Sequence, residues 1–276
     1  MNMETTFPPW VWIGLGLSAM AAATSILGFY AFANRKSLLS DAMSHAMLPG
    51  ACLGYFFTEV THSAWVWGGA LLSALLSVWL LPVLQNQLKL KSDAATGWVL
   101  SVFFSMGIIG WNILQQQGKT GLSHVFFGEA STLDPNLALT MCLLFFIVLG
   151  TAFTCHKTWL SAGFDRAFSQ TMGISTTFHQ RLQSFLIVLV VVASIRITGM
   201  VLVTAWLIFP SVMVSTWKKS AGKKIVAASF ISIGVAWICL GFSHQISGFS
   251  IGPWWVLCMG VLVALFFTIR SIKHKI

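Results

Sequence analysis

Long runs of apolar residues alternate with short polar connections along almost the whole chain. A bilayer core of about 30 Å is crossed by roughly 20 helical residues, so these runs predict nine transmembrane helices. Their predicted bounds are Trp10–Ala33, Asp41–Thr58, Ala64–Leu84, Ala94–Leu114, Asn136–Phe153, Leu182–Ile195, Met200–Trp217, Ile225–Phe242 and Ile251–Ile269. The sixth and seventh runs are short and are joined by Thr198 and Gly199, which leaves eight spans open. The pattern therefore predicts an all-α polytopic membrane protein.

Composition supports the same class of protein. Hydrophobic residues make up 57% of the chain and charged residues 8%, whereas a soluble domain carries about 25% charged residues. A soluble protein of 276 residues could not hide that much apolar surface, so the bilayer must act as its solvent. A net charge of +9 would suit a nucleic-acid partner on a soluble domain. Here the basic residues fall in short loops between apolar runs, and no nucleic-acid partner is predicted.

The distribution of basic residues predicts the orientation, because cytoplasmic loops of membrane proteins are rich in Lys and Arg. With the N-terminus outside and an odd number of spans, all of the 16 basic residues except Lys119 and Arg196 fall on the cytoplasmic side. Four acidic residues fall on the outer side: Glu4, Glu59, Glu129 and Asp134. The chain is therefore expected to be a multi-pass protein of the cell membrane with a cytoplasmic C-terminus.

Two connections between spans are long enough to carry function. The first, Gln115–Pro135, is predicted outside, and its glycines suggest turns around a short re-entrant or surface helix. The second, Lys157–Arg181, is predicted inside and contains Asp165–Gly173, a pattern that predicts a short amphipathic helix ended by Gly173. No repeat or low-complexity linker divides the chain, so residues 1–276 are expected to form one membrane domain.

Asp41 and His45 are the most informative ionisable residues. They lie four residues apart at the start of an apolar span, so a helix places them on one face. Ionisable groups at membrane depth are costly and usually face a protein interior or a watery path. A carboxylate and a neutral imidazole form a partial shell for a first-row divalent cation. The alternative is that Asp41 caps the helix and His45 is a core histidine.

Other residues carry weaker signals. Pro49 and Gly50 lie one turn after His45 and are expected to break the helix and free backbone groups, as transport and gating require. Pro210 lies inside an apolar run and predicts a kink, which serves packing or gating. His62, His124 and His244 fall on the predicted outer side, where they are solvated or meet incoming metal, and His156 is interpreted as structural. No P-loop G-x-x-x-x-G-K-S/T occurs, so the chain is not expected to hydrolyse ATP itself.

Three segments resemble the permeases of manganese/zinc/iron ATP-binding-cassette (ABC) importers. Asp41-Ala-Met-Ser-His-Ala-Met-Leu-Pro-Gly50 resembles their D-A-I/L-S-H-A-V/L-L-P-G segment. The run from Phe164 to Ile174 is similar to their cytoplasmic F-D-x-x-x-A-x-x-x-G-I/V loop, with Phe168 or Ser169 where Ala is usual. The run from Gly199 to Pro210 is similar to their G-x-L-L-V-x-A-L-L-I/V-x-P stretch. Arg196, just before it, replaces an apolar residue.

This resemblance implies a vitamin-B12-importer-like ABC permease fold in a bacterial inner membrane. It implies a second permease subunit, identical or different, two cytoplasmic ABC ATPases and an extracytoplasmic metal-binding receptor. It supports Asp41 and His45 as metal ligands, and it places ATPase coupling at Phe164, Asp165, Met172 and Gly173. It implies no permanently bound cofactor, and a transported divalent ion. The Pro49 version of the first segment favours manganese or iron over zinc.

Other functions stay open beside the ABC importer. An ATP-independent secondary divalent-metal transporter would need several intramembrane Asp, Glu or His in paired broken helices, and Asp41 and His45 alone qualify. An intramembrane enzyme would need a nucleophile–base pair or an H-x-x-x-H on facing spans, and neither occurs in the sequence. A non-transporting membrane partner or assembly factor is a further alternative.

Overall fold

A computed structural model describes residues 8–60, 63–119, 128, 133–173, 175–245 and 251–275, and all of its regular structure is α-helical. In these ranges the helices are α1 (Pro9–Ala33), α2 (Leu38–Ala46), α3 (Leu48–Thr58), α4 (Ala64–Asn86), α5 (Ser92–Gln116), α6 (Pro135–Phe164), α7 (Arg166–Thr171), α8 (Thr176–Thr198), α9 (Val203–Ser215), α10 (Ala221–Gln245) and α11 (Ile251–Lys275). The prediction of an all-α fold is confirmed.

Seven of these helices are long and apolar enough to cross a membrane: α1, α4, α5, α6, α8, α10 and α11. The other two predicted spans are helical but differ in form. The second is divided at Met47 into α2 and α3, and the seventh is the shorter apolar helix α9. Every predicted span thus lies largely on helix, and the sixth and seventh are separate helices, as the nine-span interpretation requires.

Side-chain capping accounts for the starts of two helices. The Ser63 hydroxyl accepts a hydrogen bond from the Trp65 amide at 3.2 Å and caps α4. The Asp134 carboxylate accepts one from the Leu137 amide at 2.9 Å and caps α6, whose first residue is Pro135. Side-chain oxygens at the N-cap accept hydrogen bonds from backbone amides that have no partner within the helix. Proline is tolerated at the first helical position because the amide hydrogen that it lacks would have no helical partner there.

The connection after α6 is shorter than predicted. We expected this span to end at Phe153, but α6 contains 30 residues and continues to Phe164. At 1.5 Å per residue it is roughly 45 Å long, well beyond a hydrocarbon core of about 30 Å. The polar Lys157 is therefore carried on helix rather than in a loop. The helix predicted over Asp165–Gly173 in the second long connection lies outside α6 and is present as α7.

The chain divides into two compact units, and its prediction as one membrane domain stays a prediction. The first unit comprises Met1–Arg35, Glu129–His179 and Ala205–Ile276. Within it, α1 is buried along most of its length and packs against α6 and α10. The second unit comprises Lys36–Gly128 and Gln180–Thr204. In it, α3 packs against α4 and α5, and α2 packs against α5. The helix predicted within Gln115–Pro135 falls on residues outside the described ranges.

Candidate functional site

A single accessible stripe runs along α2 and α3 in the second unit. Its members recur every three or four residues, which is the spacing of one helix face, and every residue between them is buried. They are Leu38, Asp41, His45, Pro49, Leu53 and Phe56. The stripe is apolar at both ends and ionisable in the middle. The side chains of Asp41 and His45 are 31% and 17% exposed, so both are partly accessible on this chain.

Asp41 and His45 meet at their polar atoms. Asp41 Oδ1 lies 3.6 Å from His45 Nε2. The same Oδ1 accepts a hydrogen bond from the Thr204 hydroxyl at 3.2 Å. The imidazole ring packs edge-on against Phe104, with ring centroids 4.8 Å apart. The oxygen and nitrogen that would bind a cation are therefore close together, and an aromatic ring restricts the orientation of the imidazole.

The capping interpretation of Asp41 is wrong. The N-cap of α2 is Ser37, and Asp41 lies within the first turn of the helix. The described partners of its carboxylate are two side chains, the Thr204 hydroxyl from a distant segment and the His45 imidazole. An acidic residue in a first turn does interact favourably with the helix dipole, so a purely structural role for the charge remains an alternative.

The chemistry of this site fits a divalent first-row cation. Such an ion takes carboxylate oxygen and imidazole nitrogen, and the hydroxyl of Thr204 adds a further oxygen at the same place. Within the described ranges, no set of three or more His, Cys, Asp or Glu side chains is grouped as a metal site would require. The described residues thus offer two ionisable donors here, which is too few for a closed structural metal site.

The helix is interrupted at Met47, between His45 and Pro49. Met47 separates α2 from α3, and Pro49 lies in the first turn of α3, where its missing amide costs little. The carbonyl of Ala46 accepts a hydrogen bond from the Ser73 hydroxyl of α4 at 2.7 Å. A hydroxyl group of a neighbouring helix therefore bonds to the backbone beside the break. A gating role for Pro49 is not tested by this geometry.

Gly50 has a packing role that its sequence context did not reveal. A Cβ at Gly50 would overlap the Gly69 carbonyl of α4, and one at Gly54 would overlap the Trp65 carbonyl. Glycines four residues apart on α3 therefore let the two helix backbones approach closely, as small-xxx-small motifs do in membranes. Its gating role stays a prediction beside this structural one.

Pro210 lies inside α9 in the first unit and is buried. Since proline has no amide hydrogen, the carbonyl of Trp206 one turn earlier lacks its helical partner. The Trp206 ring packs against Trp255 of α11 with centroids 4.4 Å apart. Packing against a neighbouring helix is thus observed one turn before Pro210, at Trp206, while gating by Pro210 stays a prediction.

The predicted coupling segment forms the short helix α7 between α6 and α8. Asp165 caps it, since its Oδ1 accepts a hydrogen bond from the Phe168 amide at 2.9 Å. Gly173 ends the segment in a left-handed conformation, with φ at 76°. This arrangement explains both residues of the sequence pattern, because the aspartate starts the turn and the glycine tolerates positive φ.

Three large apolar side chains of this segment project outward at intervals of four residues. Phe164 is 89% exposed, Phe168 60% and Met172 66%. The sequence predicted Phe164 and Met172 as coupling residues but not Phe168. Phe168 was noted only as one of two residues that stand where the family usually has alanine. Ser169 is the buried residue instead, and its hydroxyl donates to the Asp165 carbonyl at 2.8 Å. The four-residue spacing could have revealed Phe168.

The remaining sequence candidates lie elsewhere. His62 and His124 fall outside the described residues, as does the side chain of His244. His156 Nδ1 hydrogen-bonds the Tyr30 hydroxyl at 2.6 Å in the first unit, which agrees with its structural interpretation. Arg196, the charge that replaces an apolar residue, lies with its guanidinium carbon 4.2 Å from the Trp67 ring centroid. A cation–π contact accommodates that charge.

The sequence matches the ABC 3 transport family over residues 9–270, and the chain belongs to this family. It is 31% identical over 265 residues to the manganese transport system membrane protein MntC of Bacillus subtilis (strain 168), which covers 94% of this chain. The chain spans 60% of the length of that relative. It is 28% identical over 249 residues to the zinc transport system membrane protein TroC of Treponema pallidum (strain Nichols), covering 89% of this chain and 83% of that protein.

Solved structures share the fold. A chain of PsaBC from Streptococcus pneumoniae, solved in complex with Fab, superposes with a TM-score of 0.81 at 23% identity, covering 98% of this chain and 96% of that one. A metal-chelate type ABC transporter in an inward-facing conformation gives a TM-score of 0.69 at 15% identity, covering 94% and 85%. The predicted ABC permease fold is therefore confirmed.

Proposed function

We propose that this chain is the membrane-spanning permease subunit of an ATP-driven ABC importer for divalent metal ions. The observation that carries the proposal is the polar centre of the accessible stripe, where Asp41 Oδ1 lies 3.6 Å from His45 Nε2. A paired carboxylate and imidazole on an otherwise apolar helix face are costly in a membrane and mark an ion path. Membership of the ABC 3 transport family supplies the transport class.

The donor set favours manganese among the candidate ions. Manganese prefers oxygen ligands, whereas zinc is commonly held by nitrogen and sulfur. Asp41 and Thr204 offer oxygen and His45 offers nitrogen, and no cysteine is described at this place. MntC is named for manganese and TroC for zinc. We therefore place manganese first, with iron and zinc as alternatives that the same donors accept.

Two donors per chain suit an ion in transit. A second permease subunit with equivalent residues would bring the number of ionisable ligands to four, enough to replace much of the hydration shell of the ion. An ion that must leave on the far side has to be bound weakly, so an open site of this kind fits transport better than storage. The Thr204 hydroxyl holds the Asp41 carboxylate in place between passages.

Energy for transport would come through the coupling segment. The chain has no P-loop, so cytoplasmic ATPase subunits must act on it by contact. One short segment exposes three large apolar side chains, those of Phe164, Phe168 and Met172. Side chains that become buried when a partner binds supply most of the binding energy of an interface. An extracytoplasmic receptor would deliver the ion to the opposite side. The chain would lie in a bacterial inner membrane with its N-terminus outside.

The test is uptake of radioactive manganese into proteoliposomes that contain the permease pair, its ATPases and its receptor. We expect uptake that requires ATP hydrolysis and is lost when this chain is omitted. An ATPase variant that binds but does not hydrolyse ATP is the matched control. Uptake that continues with that variant, driven by a proton or sodium gradient, would favour the secondary-transporter alternative and contradict the proposal. Competition by zinc and ferrous iron would rank the three ions.

A further inference from the structure

The last part of the chain contains many basic residues and no acidic ones. Asp165 is the last acidic residue in the sequence. Ten basic residues follow it: Arg166, Arg181, Arg196, Lys218, Lys219, Lys223, Lys224, Arg270, Lys273 and Lys275. Orientation in the membrane accounts for basic residues near span ends, but it does not require several of them to gather at one place.

Five of these cations surround the corner between α9 and α10 in the first unit. Lys224 Nζ donates a hydrogen bond to the Ser215 carbonyl at 2.8 Å. Arg270 Nη1 donates one to the neighbouring Thr216 carbonyl, also at 2.8 Å. Cations at these carbonyls cap the C-terminal end of α9 and interact favourably with its dipole. Two charges are thus fixed at the corner by neutral backbone groups.

The other three cations of the cluster are exposed at the same corner. Lys218 and Lys219 directly follow Trp217, and Lys223 lies in the first turn of α10. Lys219 Nζ stands 5.2 Å from the centre of the Trp217 ring. The ion pairs found in the described ranges are His45–Asp41 and Lys119–Glu59, and both lie in the second unit. Among the described residues no carboxylate pairs with these three lysines, so the corner presents a cationic surface that an anion from another molecule can neutralise.

The surroundings of the corner identify the kind of anion. Trp217 packs against Phe266 of α11, with ring centroids 6.4 Å apart. The exposed face of α11 continues from there as an apolar stripe of Leu262, Leu265, Ile269 and Ile272. Tryptophan is typical of the membrane interface, where a headgroup meets acyl chains. A ligand that covers this surface needs an anionic head beside the lysines and apolar chains along α11.

We infer that Lys218, Lys219 and Lys223 form a binding site for the headgroup phosphate of an anionic phospholipid, whose acyl chains lie along α11. Clusters of four or more basic residues beside a transmembrane helix attract anionic lipid, and each lysine near the surface strengthens the attraction by about fivefold. Lys224 and Arg270 orient the corner by holding the end of α9. The inference does not depend on the metal site.

The experiment measures binding of short-chain fluorescent phosphatidylglycerol, and of phosphatidylcholine with the same chains, to the purified full chain in neutral detergent. The test variant combines Lys218→Gln, Lys219→Gln and Lys223→Gln. The control variant combines Lys89→Gln, Lys91→Gln and Lys157→Gln, which removes the same charge from exposed lysines elsewhere. We expect the native chain to prefer phosphatidylglycerol, the test variant to lose about tenfold or more in its affinity, and the control to change by less than about twofold.

Three results would overturn the inference. Equal loss in both variants would mean that overall charge, rather than this corner, attracts the lipid. Competition by glycerol phosphate as strong as by phosphatidylglycerol would mean a site for a free anion. Unchanged lipid binding by the test variant would mean that these three lysines do not hold the headgroup. Should the triple variant not fold, Lys218→Gln alone, at an exposed position outside the helices, is measured in the same way.

Discussion

Thr204 donates its hydroxyl hydrogen to Oδ1 of Asp41 across 3.2 Å, and the two residues are 163 positions apart in the sequence. The contact joins two of the segments that resemble the permease family, the one around Asp41 and His45 and the one that leads to Pro210. Both residues lie in the second unit. The hydrogen bond adds Thr204 to the proposed metal site, and the family pattern leaves the position of Thr204 variable.

Thr204→Val removes the hydroxyl at nearly constant volume. Losing a hydrogen bond to a charged group costs about 1.5–3 kcal/mol, so we expect the apparent KM for manganese uptake to rise by about tenfold or more. The maximal rate should change much less, because the coupling segment is untouched. Thr204→Ser keeps the hydroxyl and should restore most of the affinity. Equal loss in the Val and Ser variants would show that Thr204 matters through packing of its methyl group instead.

Phe168→Ala tests the coupling segment. We expect the variant to insert normally but to bind its ATPase at least about tenfold more weakly, since truncating an interface anchor typically costs 2 kcal/mol or more. Phe153→Ala is the matched control, because that side chain is 86% exposed on α6 and lies inside the predicted span. ATPase co-purification and metal-stimulated ATP hydrolysis are the measurements. Similar behaviour of the two variants would remove Phe168 from the interface.

Gly50→Ala tests the close approach of α3 and α4. The added Cβ would meet the Gly69 carbonyl, and overpacking of this kind costs about 1–3 kcal/mol. Gly68→Ala on α4 meets no neighbouring atom within 4 Å and should be neutral or stabilising by up to about 1 kcal/mol. Thermal unfolding in detergent compares the two. A Gly50→Ala protein as stable as the native chain, yet inactive in transport, would favour the gating role instead.

The orientation prediction has its own test. Reporter fusions after Lys91 and after Lys224 should both read cytoplasmic, because the positive-inside rule places both loops there. A fusion after Gln117, beyond the end of α5, should read external and serves as the control. An external reading at either lysine would mean that the number of membrane crossings before it is wrong.

Much of the fold was predictable because apolar run length is a strong signal in a bilayer. Asp165 and Gly173 were also predictable, since capping and positive φ depend on local sequence. Thr204 was not, because a lone threonine in an apolar run gives no sign of which distant carboxylate it will meet. The extension of α6 to Phe164 was missed because polar residues such as Lys157 end an apolar run without ending a helix. The packing role of Gly50 depends on Gly69, a contact between helices that no local pattern contains.

The Asp41→Asn variant tests the central claim most directly. Asparagine keeps the volume and an oxygen that accepts from Thr204, but it removes the charge that would bind the ion. Asp93→Asn is the matched control, because Asp93 is an exposed aspartate in the first turn of α5. ATP-dependent uptake of radioactive manganese by the reconstituted complex is the measurement. We predict a loss of more than about tenfold for Asp41→Asn and a change below about twofold for Asp93→Asn. Uptake by Asp41→Asn close to that of the native complex would contradict the assignment of Asp41 and His45 as the ion site.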